Sequence, residues 1–453
     1  MKRASPLRIA IVGAGWAGMA AAVRAVERGH DVTVFEAART PGGRARGVPL
    51  ALPDGREVMV DNGQHILIGA YTDGLRLMQT VGVDAASALL RRPLAMTYPD
   101  GSGLRLPDWP PPLDAAAGIL AARGWSWRDK RALLGTALVW RRAGFQCDAA
   151  ASVAALCGGL PPRLQDEFIE PLCVSALNTP MHEASAQVFL RVLQDALFGA
   201  RGGSNLLLPR IDLGALFPQA AARWIEARGG RVRMGQRVQA LQREGLRWHV
   251  GDGGQDGGEG GAFDHVVIAT SASNAAQALA QSALTAPDTI ANQLHGWARS
   301  AARLTHRAIT TVYAQAALGP APSRAGALLR APMLALRNAD DLPAQFVFDR
   351  DAITGAAPPT RLLAFVVSDS QGDRDALKAA ITAQARSQLG LSVTPLLTVT
   401  EKRATFACTP GLQRPPAAIA PGLSACGDYI DGPYPATLEG AVRSGLQAAE
   451  ALR

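Results

Sequence analysis

The feature that most limits what this chain can fold into is a glycine loop over residues 13–18, with the spacing Gly-x-Gly-x-x-Gly. Leu7 to Val12, just before the loop, is a short apolar run rich in β-branched residues, which predicts a strand. Ala17 to Arg28 is rich in alanine and is followed by Gly29, which predicts a helix with a glycine at its C-terminal cap. Asp31 to Glu36 then reads as a second strand, so the segment predicts a βαβ unit.

Each glycine of this loop has its own physical task. Gly13 permits the tight turn, Gly15 lets the backbone approach a pyrophosphate, and Gly18 allows the helix to pack closely on the strand. The N-terminus of the helix offers free N–H groups and a positive dipole end to phosphates. Glu36, 18 residues after Gly18, has the spacing of a carboxylate that accepts hydrogen bonds from a ribose. The unit therefore predicts a dinucleotide site, and the acid disfavours a 2′-phosphate.

Size and composition limit the other possibilities. With 453 residues, of which 48% are hydrophobic and 19% charged, the chain is too long for one ordinary core and too apolar for disorder. Two intertwined domains are therefore predicted. The net charge of +8 comes without a run of basic residues interleaved with aromatics, which favours a phosphate ligand or an anionic membrane surface over nucleic acid. Five dispersed cysteines without a CxxC pair fit a reducing cytoplasm, and no uninterrupted run of 18 apolar residues predicts a spanning helix.

The rest of the pattern predicts an α/β protein, α+β overall. A hairpin is predicted at residues 93–107, a mainly helical region at 113–207 and a glycine-rich hairpin loop at 251–261. Helices are predicted at 373–389 and 437–452. Further strands are predicted at 231–241, 246–250, 264–270, 309–315, 345–349, 362–368, 396–407 and 423–428.

A second glycine-rich segment, residues 36–46, follows the βαβ unit and contains Gly42, Gly43 and Arg44. It resembles the extended flavoprotein signature of the amine oxidase and phytoene desaturase superfamily. In that superfamily the paired glycines let the chain run beside the cofactor, and the arginine lies near its phosphates. An NAD dehydrogenase does not need this loop, so the cofactor implied by the resemblance is FAD.

Three later segments resemble further parts of the same flavoprotein pattern. Residues 235–238 resemble the strand at which backbone groups of a valine hold the adenine, and residues 266–270 resemble the strand that closes the domain. Residues 425–428 resemble the second flavin signature, in which an aspartate contacts the ribityl or phosphate region. No second glycine loop for NADPH is found, which leaves the electron donor open between another protein and a diffusible carrier.

The resemblance implies a glutathione-reductase-like FAD/NAD(P)-binding Rossmann domain with an inserted substrate domain of mixed sheet and helices. The FAD-binding domain is expected to comprise residues 1–75, 208–280 and 408–453. The substrate-binding domain is expected to comprise residues 76–207 and 281–407.

Three segments between the general motifs, residues 61–71, 171–180 and 427–440, resemble a narrower group. This group is the bacterial hydroxysqualene dehydroxylase family, also called squalene-associated FAD-dependent desaturases, and the resemblance extends over residues 8–450. It implies reduction of hydroxysqualene to squalene, as in squalene and hopanoid biosynthesis: the allylic hydroxyl leaves as water, and flavin N5 supplies a hydride to the resulting cation. Such a substrate needs a long apolar tunnel and implies peripheral contact with the inner face of the cytoplasmic membrane.

The resemblance also assigns residues to the cofactor. The helix that begins near Thr437 is expected to aim its N-terminus at the flavin, where its dipole favours negative charge on the reduced ring. The implied FAD-binding residues are Gly13, Gly15, Trp16, Ala17, Gly18, Glu36, Ala37, Gly42, Gly43, Arg44, Gly63, Gln64, His65, Val238, Gly427, Asp428, Thr437 and Leu438.

His65 and Asp61 are the candidate catalytic residues, because their segment is expected to pass the flavin ring. A neighbouring carboxylate raises the pKa of a histidine and so suits it to donate a proton. The alternative is that both residues are structural, and the same two readings apply to His182. No cluster of His, Cys and carboxylates has metal-ligand spacing, so no metal is expected.

Two other functions stay open at this point. An FAD-dependent polyene desaturase or amine oxidase of the same superfamily would share the cofactor motifs but would oxidise its substrate. A non-catalytic isoprenoid-lipid escort would share the fold but would not need the flavin-binding residues. A shared fold does not decide between these chemistries.

Overall fold

The computed structural model describes residues 5–251, 261–317, 328–356 and 360–452. Their strands are β1 (Arg8–Val12), β2 (Asp31–Glu36), β3 (Gly47–Ala51), β4 (Glu57–Asp61), β5 (Leu67–Ile68), β6 (Leu89–Arg92), β7 (Ala95–Thr97), β8 (Gly103–Arg105), β9 (Leu206–Pro209), β10 (Arg231–Met234), β11 (Ala240–Glu244), β12 (Arg247–Gly251), β13 (Ala262–Phe263), β14 (His265–Ile268), β15 (His306–Ala317), β16 (Met333–Ala335), β17 (Phe346–Asp349), β18 (Thr360–Ser368), β19 (Val393–Phe406), β20 (Ala418–Ala420) and β21 (Leu423–Ala425).

The helices of the same residues include two short π-helical segments, Gln165–Ile169 and Ala385–Leu389. The α-helices are α1 (Trp16–Glu27), α2 (Thr72–Thr80), α3 (Ala85–Ala88), α4 (Leu113–Ala121), α5 (Trp127–Arg142), α6 (Val153–Cys157), α7 (Pro162–Leu164), α8 (Glu170–Leu177), α9 (Ala186–Leu197), α10 (Leu213–Leu216), α11 (Pro218–Glu226), α12 (Ala272–Ala283), α13 (Asp288–Ala302), α14 (Arg350–Thr354), α15 (Arg374–Gln384) and α16 (Leu438–Glu450).

A six-stranded sheet of order β10-β2-β1-β14-β21-β20 contains the N-terminal βαβ unit, and its pairs are parallel except for β20 with β21. Side chains alternate across a strand, so Ile9 and Ile11 pack on the side of α1, α11 and α16, while Val12 belongs to the core of the other side. On that other side lies the antiparallel β11–β13 sheet, where Phe263 meets Phe35 edge to face at 5.9 Å. This arrangement has the layers of the predicted Rossmann domain.

A five-stranded antiparallel sheet of order β16-β17-β18-β15-β19 forms the second layer system. One of its faces, with Val347 and Phe365, packs in a separate core with residues of α15. The opposite face, with Tyr313, Phe346 and Phe348, joins the larger core that it shares with the six-stranded sheet. The second sheet therefore turns one apolar face toward the cofactor motifs.

The structure confirms most of the predicted elements and corrects one of them. Residues 231–241 are not a continuous strand: β10 ends at Met234, Gly235 follows with φ +73°, and β11 begins at Ala240. The chain must leave the parallel sheet there to enter the antiparallel β11–β13 layer, and a glycine adopts the left-handed turn without strain.

Two helices and one loop complete the comparison with the predicted elements. Helices α12 and α13 have no counterpart among the sequence predictions, although Ser271 caps α12 by accepting the N–H of Asn274. Most of the predicted glycine-rich loop, residues 252–260, lies outside the described residues. The division into FAD-binding and substrate-binding domains stays a prediction.

Candidate active site

The glycine loop between β1 and α1 makes contacts that leave no room for a side chain at Gly13 or Gly18. Gly13 has φ +116° and donates its N–H to the Phe35 carbonyl at 2.7 Å, and a Cβ at this position would lie 2.7 Å from the Ala269 carbonyl oxygen. A Cβ on Gly18 would lie 1.9 Å from the Gly13 carbonyl oxygen. Gly15 is the N-cap of α1 and makes no side-chain cap, so the first N–H groups of the helix remain available to a ligand.

Glu36, at the end of β2, holds the loop to the strand. Its Oε2 accepts the N–H of Ala14 at 2.7 Å, and its Oε1 accepts the N–H of Ala38 at 2.8 Å. A carboxylate oxygen has two lone pairs, so each oxygen can accept one further hydrogen bond. The side chain is half-buried and lines the cavity described below, where it can accept from a ligand hydroxyl.

The second glycine-rich segment runs beside the first. Gly42 donates its N–H to the Ala14 carbonyl at 2.9 Å, and a Cβ on Gly43 would lie 3.3 Å from the Cα of Gly15. Arg44 follows and pairs with Asp428, with 2.5 Å between Nη2 and Oδ1. The two flavoprotein signatures, nearly 400 residues apart, therefore meet in one ion pair.

Asp428 sets the electrostatics of Arg44. Its negative charge is the main cause that raises the pKa of the Arg44 guanidinium, which also donates to the Ala404 carbonyl at 2.9 Å. Because Asp428 is only 8% exposed, its carboxylate depends on this partner for charge compensation.

We expect Arg44→Met to destabilise the protein by about 3–5 kcal/mol, because it removes the hydrogen-bonded counter-charge of the buried Asp428 carboxylate. Adding Asp428→Asn should restore part of that loss, since the double variant no longer buries an unpaired charge. Thermal unfolding of both single variants and the double variant, at one fixed FAD concentration, measures the coupling. Strictly additive losses would show that the pair contributes no interaction energy.

A cavity of about 510 Å³ lies where these motifs meet. Seventeen of the 18 residues that the sequence assigned to FAD line it; the exception is Gly18, which is covered by Gly13 and Ala269. Its volume lies in the range of small-molecule sites. The sequence motifs thus converge on one cavity.

Much of the remaining cavity wall was not predicted. It comes from the end of α8 and from the second sheet, and includes Val174, Ala176, Asn178, Ile309, Phe346, Phe348, Val366, Glu401 and Thr405. Phe346 and Phe348 are two residues apart on one strand, which indicates a shared face and was the available sequence signal. Glu401 carried none, because a charged residue in a strand ordinarily indicates a solvent-facing position.

Two lining side chains carry buried polar atoms with no protein partner among the described residues. Gln64 is 3% exposed and has φ +48°, and neither its Nε2 nor its Oε1 is hydrogen-bonded. The indole N–H of Trp16 is likewise buried and unpaired. Unpaired buried polar groups are rare and costly, so their position on this cavity indicates that a bound polar molecule completes their hydrogen bonds. The donor and acceptor set fits a flavin dinucleotide.

Asp61 and His65 form a hydrogen-bonded pair at the same cavity. Asp61 is 2% exposed and accepts the backbone N–H groups of Gly63 at 3.1 Å and His65 at 2.7 Å. The Nδ1 of His65 lies 2.9 Å and 3.1 Å from the two carboxylate oxygens. His65 lines the cavity, whereas Asp61 lies behind it, and Tyr313 donates its hydroxyl to the Asp61 carbonyl.

The pair shifts both pKa values toward the charged forms. Burial alone would raise the pKa of Asp61, but the His65 charge and hydrogen bonds from His65 and Gly63 outweigh it, and the pKa is lowered. Burial alone would lower the pKa of His65, but the charge and hydrogen bond of Asp61 outweigh it, and the pKa is raised. The pair therefore favours the protonated form of the His65 imidazole at the cavity wall.

The first turn of α16 completes the site. Thr437 caps the helix by accepting the N–H of Gly440 at 2.9 Å, and Thr437 and Leu438 line the cavity. The buried Glu439 accepts the N–H groups of Asp73 and Gly74 at the start of α2 at 3.1 and 3.0 Å. The N-terminus of α16 is thereby fixed, with its positive dipole end at the cavity.

His182 is not brought to this site. Its side chain is 69% exposed, it pairs with Glu183 at 3.4 Å, and it does not line the cavity. In the described part of the chain, no group of three or more His, Cys, Asp or Glu side chains is arranged to hold a metal ion. Among the same residues, no helix combines the length and apolar character needed to cross a bilayer.

Comparison with known proteins agrees with this geometry. A hydroxysqualene dehydroxylase of Rhodopseudomonas palustris is 28% identical, over 97% of both chains, and one of Sinorhizobium fredii is 25% identical, over 98% of both chains. The solved structure of cyclohexylamine oxidase from Brevibacterium oxydans shares the fold, with a TM-score of 0.63, 18% identity and 98% of each chain covered. Residues 16–453 match the family described as flavin containing amine oxidoreductase. The chain therefore belongs to the flavin containing amine oxidoreductase family and is an FAD-dependent oxidoreductase.

Proposed function

We propose that this enzyme reduces hydroxysqualene to squalene with loss of water. The observation that carries the proposal is the hydrogen-bonded pair of His65 with the buried Asp61 at a cavity whose wall includes apolar and aromatic side chains. Removal of an allylic hydroxyl needs a proton for the leaving oxygen and an apolar space for the hydrocarbon. The likeness to two hydroxysqualene dehydroxylases over nearly the whole chain supports the same assignment.

The residues proposed to hold FAD are those of the converging motifs. Gly13 and Gly15, with the N-terminus of α1, would take the pyrophosphate, and Glu36 would accept from the adenosine ribose. Gln64 and Trp16 would hydrogen-bond the cofactor through their unpaired buried atoms. When bound and reduced, FAD supplies the hydride that replaces the hydroxyl.

His65 is proposed as the proton donor and Asp61 as the residue that positions it. Both contacts to Asp61 are made by Nδ1, so the other nitrogen, Nε2, is the one that can donate to the substrate hydroxyl. The proton and the hydroxyl leave as water when the C–O bond breaks, and the hydride forms the new C–H bond. The atoms and electrons balance with one reduced flavin oxidised per squalene formed.

The apolar wall is proposed to protect the allylic cation that this departure leaves. Phe346 and Phe348 present aromatic rings to the cavity, and the negative face of a ring attracts a cation. Ile309 and Val366 add apolar surface that excludes water, which would otherwise recapture the cation as the alcohol. The substrate dissolves in membranes, so we propose that the enzyme collects it at the cytoplasmic face of an anionic bilayer.

The direct test is a single turnover. Enzyme whose FAD has been reduced anaerobically with dithionite should convert hydroxysqualene to squalene, with one flavin reoxidised per squalene formed. The oxidised enzyme and free reduced FAD are the controls and should form none. Dehydrogenation of the substrate by the oxidised enzyme would instead show a desaturase, and a folded protein that takes up no flavin would point to a lipid escort.

A further inference from the structure

Helices α4 and α5 carry an exposed apolar surface far from the cofactor motifs in sequence. Six large apolar side chains on or just before these helices are between 45% and 64% exposed: Trp109, Leu113, Leu120, Trp127, Leu138 and Val139. We call this set the α4–α5 face. Large apolar side chains that cluster on a protein surface mark an interaction site, whereas single ones need no explanation.

The outward side of α5 combines this apolar surface with arginine. Trp127, Arg131, Leu138 and Arg142 are spaced by four, seven and four residues, which places them on one side of the helix. The opposite side, with Leu133 and Trp140, is buried in the main core. An amphipathic helix whose exposed side mixes Trp and Leu with Arg has the composition of a helix that lies in a membrane interface.

The exposed charges of residues 105–142, the segment that carries the α4–α5 face, are almost all positive. Residues 105–142 contain seven basic and three acidic side chains. Two of the acids, Asp114 and Asp129, are buried, and the third, Asp108, contacts Arg201 at 3.4 Å. Six exposed arginines of the segment form no ion pair with any described residue: Arg105, Arg123, Arg128, Arg131, Arg141 and Arg142.

The junction of the two helices is internally held. Lys130 donates to the Leu120 carbonyl at 2.8 Å, and its ammonium lies 5.1 Å from the centre of the Trp127 ring. Ser126 and Asp129 form a capping box at the start of α5. The exposed Trp127 therefore lies at a capped helix N-terminus and not in an irregular loop.

We propose that the α4–α5 face docks this enzyme on the surface of an anionic phospholipid bilayer. The apolar side chains would enter the boundary between headgroups and acyl chains, and the unpaired arginines would contact the lipid phosphates. A bilayer is favoured over a protein partner because, within residues 105–142, six exposed arginines are unpaired and no exposed acid is. A surface for a protein partner would ordinarily show charges of both signs.

The α4–α5 face is connected to the cavity by packed segments, so docking would bring the cavity close to the membrane. This inference rests on the proposed function. Trp125, just before α5, packs edge to face on Phe168 at 5.6 Å between ring centres. Phe168 lies in the π-helical segment that continues into α8, and the end of α8 lines the cavity. Packed helical segments thus connect the docking face with the cavity proposed to take the membrane-dissolved substrate.

Sedimentation with vesicles tests the docking without any substrate. The flavin-loaded enzyme should bind vesicles of phosphatidylcholine with one quarter phosphatidylglycerol, and should bind pure phosphatidylcholine or high-salt samples far less. Arg131→Gln/Arg142→Gln should weaken binding roughly 30-fold, at about 1 kcal/mol for each arginine near the surface. Trp127→Ser/Val139→Ser should weaken binding to the anionic vesicles as well.

Matched variants elsewhere on the surface provide the control. Arg299→Gln/Arg303→Gln removes two exposed arginines on and just after α13, and Leu246→Ser/Leu284→Ser removes two exposed apolar side chains. Both should bind as the parent does. An equal loss in these controls, or no loss in the α5 variants, would overturn the proposal, and so would binding of the parent to a protein but not to vesicles.

The same variants separate docking from catalysis. With hydroxysqualene in detergent micelles, Arg131→Gln/Arg142→Gln should turn over at the parent rate, while turnover of vesicle-embedded substrate should fall. If the parent forms no squalene in detergent, the proposed function is contradicted, whereas the conclusion from vesicle binding is unaffected. Loss of vesicle binding with normal turnover in detergent would confine the failure to the docking proposal.

Discussion

Replacement of His65 with glutamine is expected to lower the rate of squalene formation by about 10²- to 10⁴-fold, the usual contribution of a positioned general acid. Glutamine has a similar reach and can still hydrogen-bond Asp61, but it has no titrating proton to give to the leaving hydroxyl. The measurement is single-turnover squalene formation by the pre-reduced enzyme. The visible flavin spectrum must be checked in parallel, because His65 also lines the cofactor cavity.

The pH dependence tests whether Asp61 acts through His65. The protonated imidazole is the active form, so the rate should be high below the pKa of His65 and fall as the pH rises through it. Asp61 raises that pKa, and Asp61→Asn removes its negative charge, so the alkaline limb should move to lower pH. A structural role for Asp61 would lower the rate without moving the limb. His182→Gln, which changes an exposed histidine outside the cavity, should leave rate and pH profile unchanged.

The free energy of unfolding should depend on pH through the same pair, Asp61 and His65. The pKa of His65 is higher in the folded protein than in the unfolded chain, so its contribution to stability is present in full at low pH and is lost as the pH rises through the folded value. The pKa of Asp61 is lower in the folded protein, so its contribution is present at higher pH and is lost as the pH falls through the folded value. The charged pair therefore stabilises the fold most between these two pKa values.

Gly18→Ala is expected to produce a destabilised protein that retains less than about a tenth of the parent's FAD. The new Cβ would lie 1.9 Å from the Gly13 carbonyl oxygen and 2.9 Å from the Ala269 side chain, so α1 must move away from β1. Overpacking of this kind ordinarily costs about 1–3 kcal/mol, and here the displaced helix also carries the N–H groups proposed to bind the pyrophosphate. Flavin absorbance per polypeptide and the thermal midpoint are the two readouts.

Gly296→Ala is the matched control for this substitution. Gly296 also lies within a helix, α13, but a Cβ there would meet no atom within 4 Å. Alanine favours helix over glycine by up to about 1 kcal/mol, so this variant should be as stable as the parent or more so, with full flavin content. Normal flavin content in Gly18→Ala would show that the close contact in the loop does not control the cofactor site.

The sequence predicted the structure best where a motif depends on backbone geometry over a few residues. Gly13, Gly15 and Glu36 lie within one βαβ unit, and their contacts are set by chain geometry over a few residues. Arg44 and Asp428 were each expected to contact the cofactor, whereas the ion pair between them was not predicted and is a finding of the structure. The continuous strand at residues 231–241 was wrong because periodicity does not show that Gly235 turns the chain from one sheet to another.

By itself, the sequence determined the Rossmann unit, the FAD motifs and the pairing of a histidine with a carboxylate four residues away, because each depends on local spacing or on a recognisable family pattern. The tertiary structure alone decided that Phe346, Phe348 and Glu401 line the cavity and that Asp61 lies behind His65 rather than in the cavity wall. The physical reason is that the side chains of a strand alternate between two faces, and the strand alone does not determine which face another layer will cover. Which face meets the cofactor motifs is settled only when long-range strand pairing places the second sheet against the first.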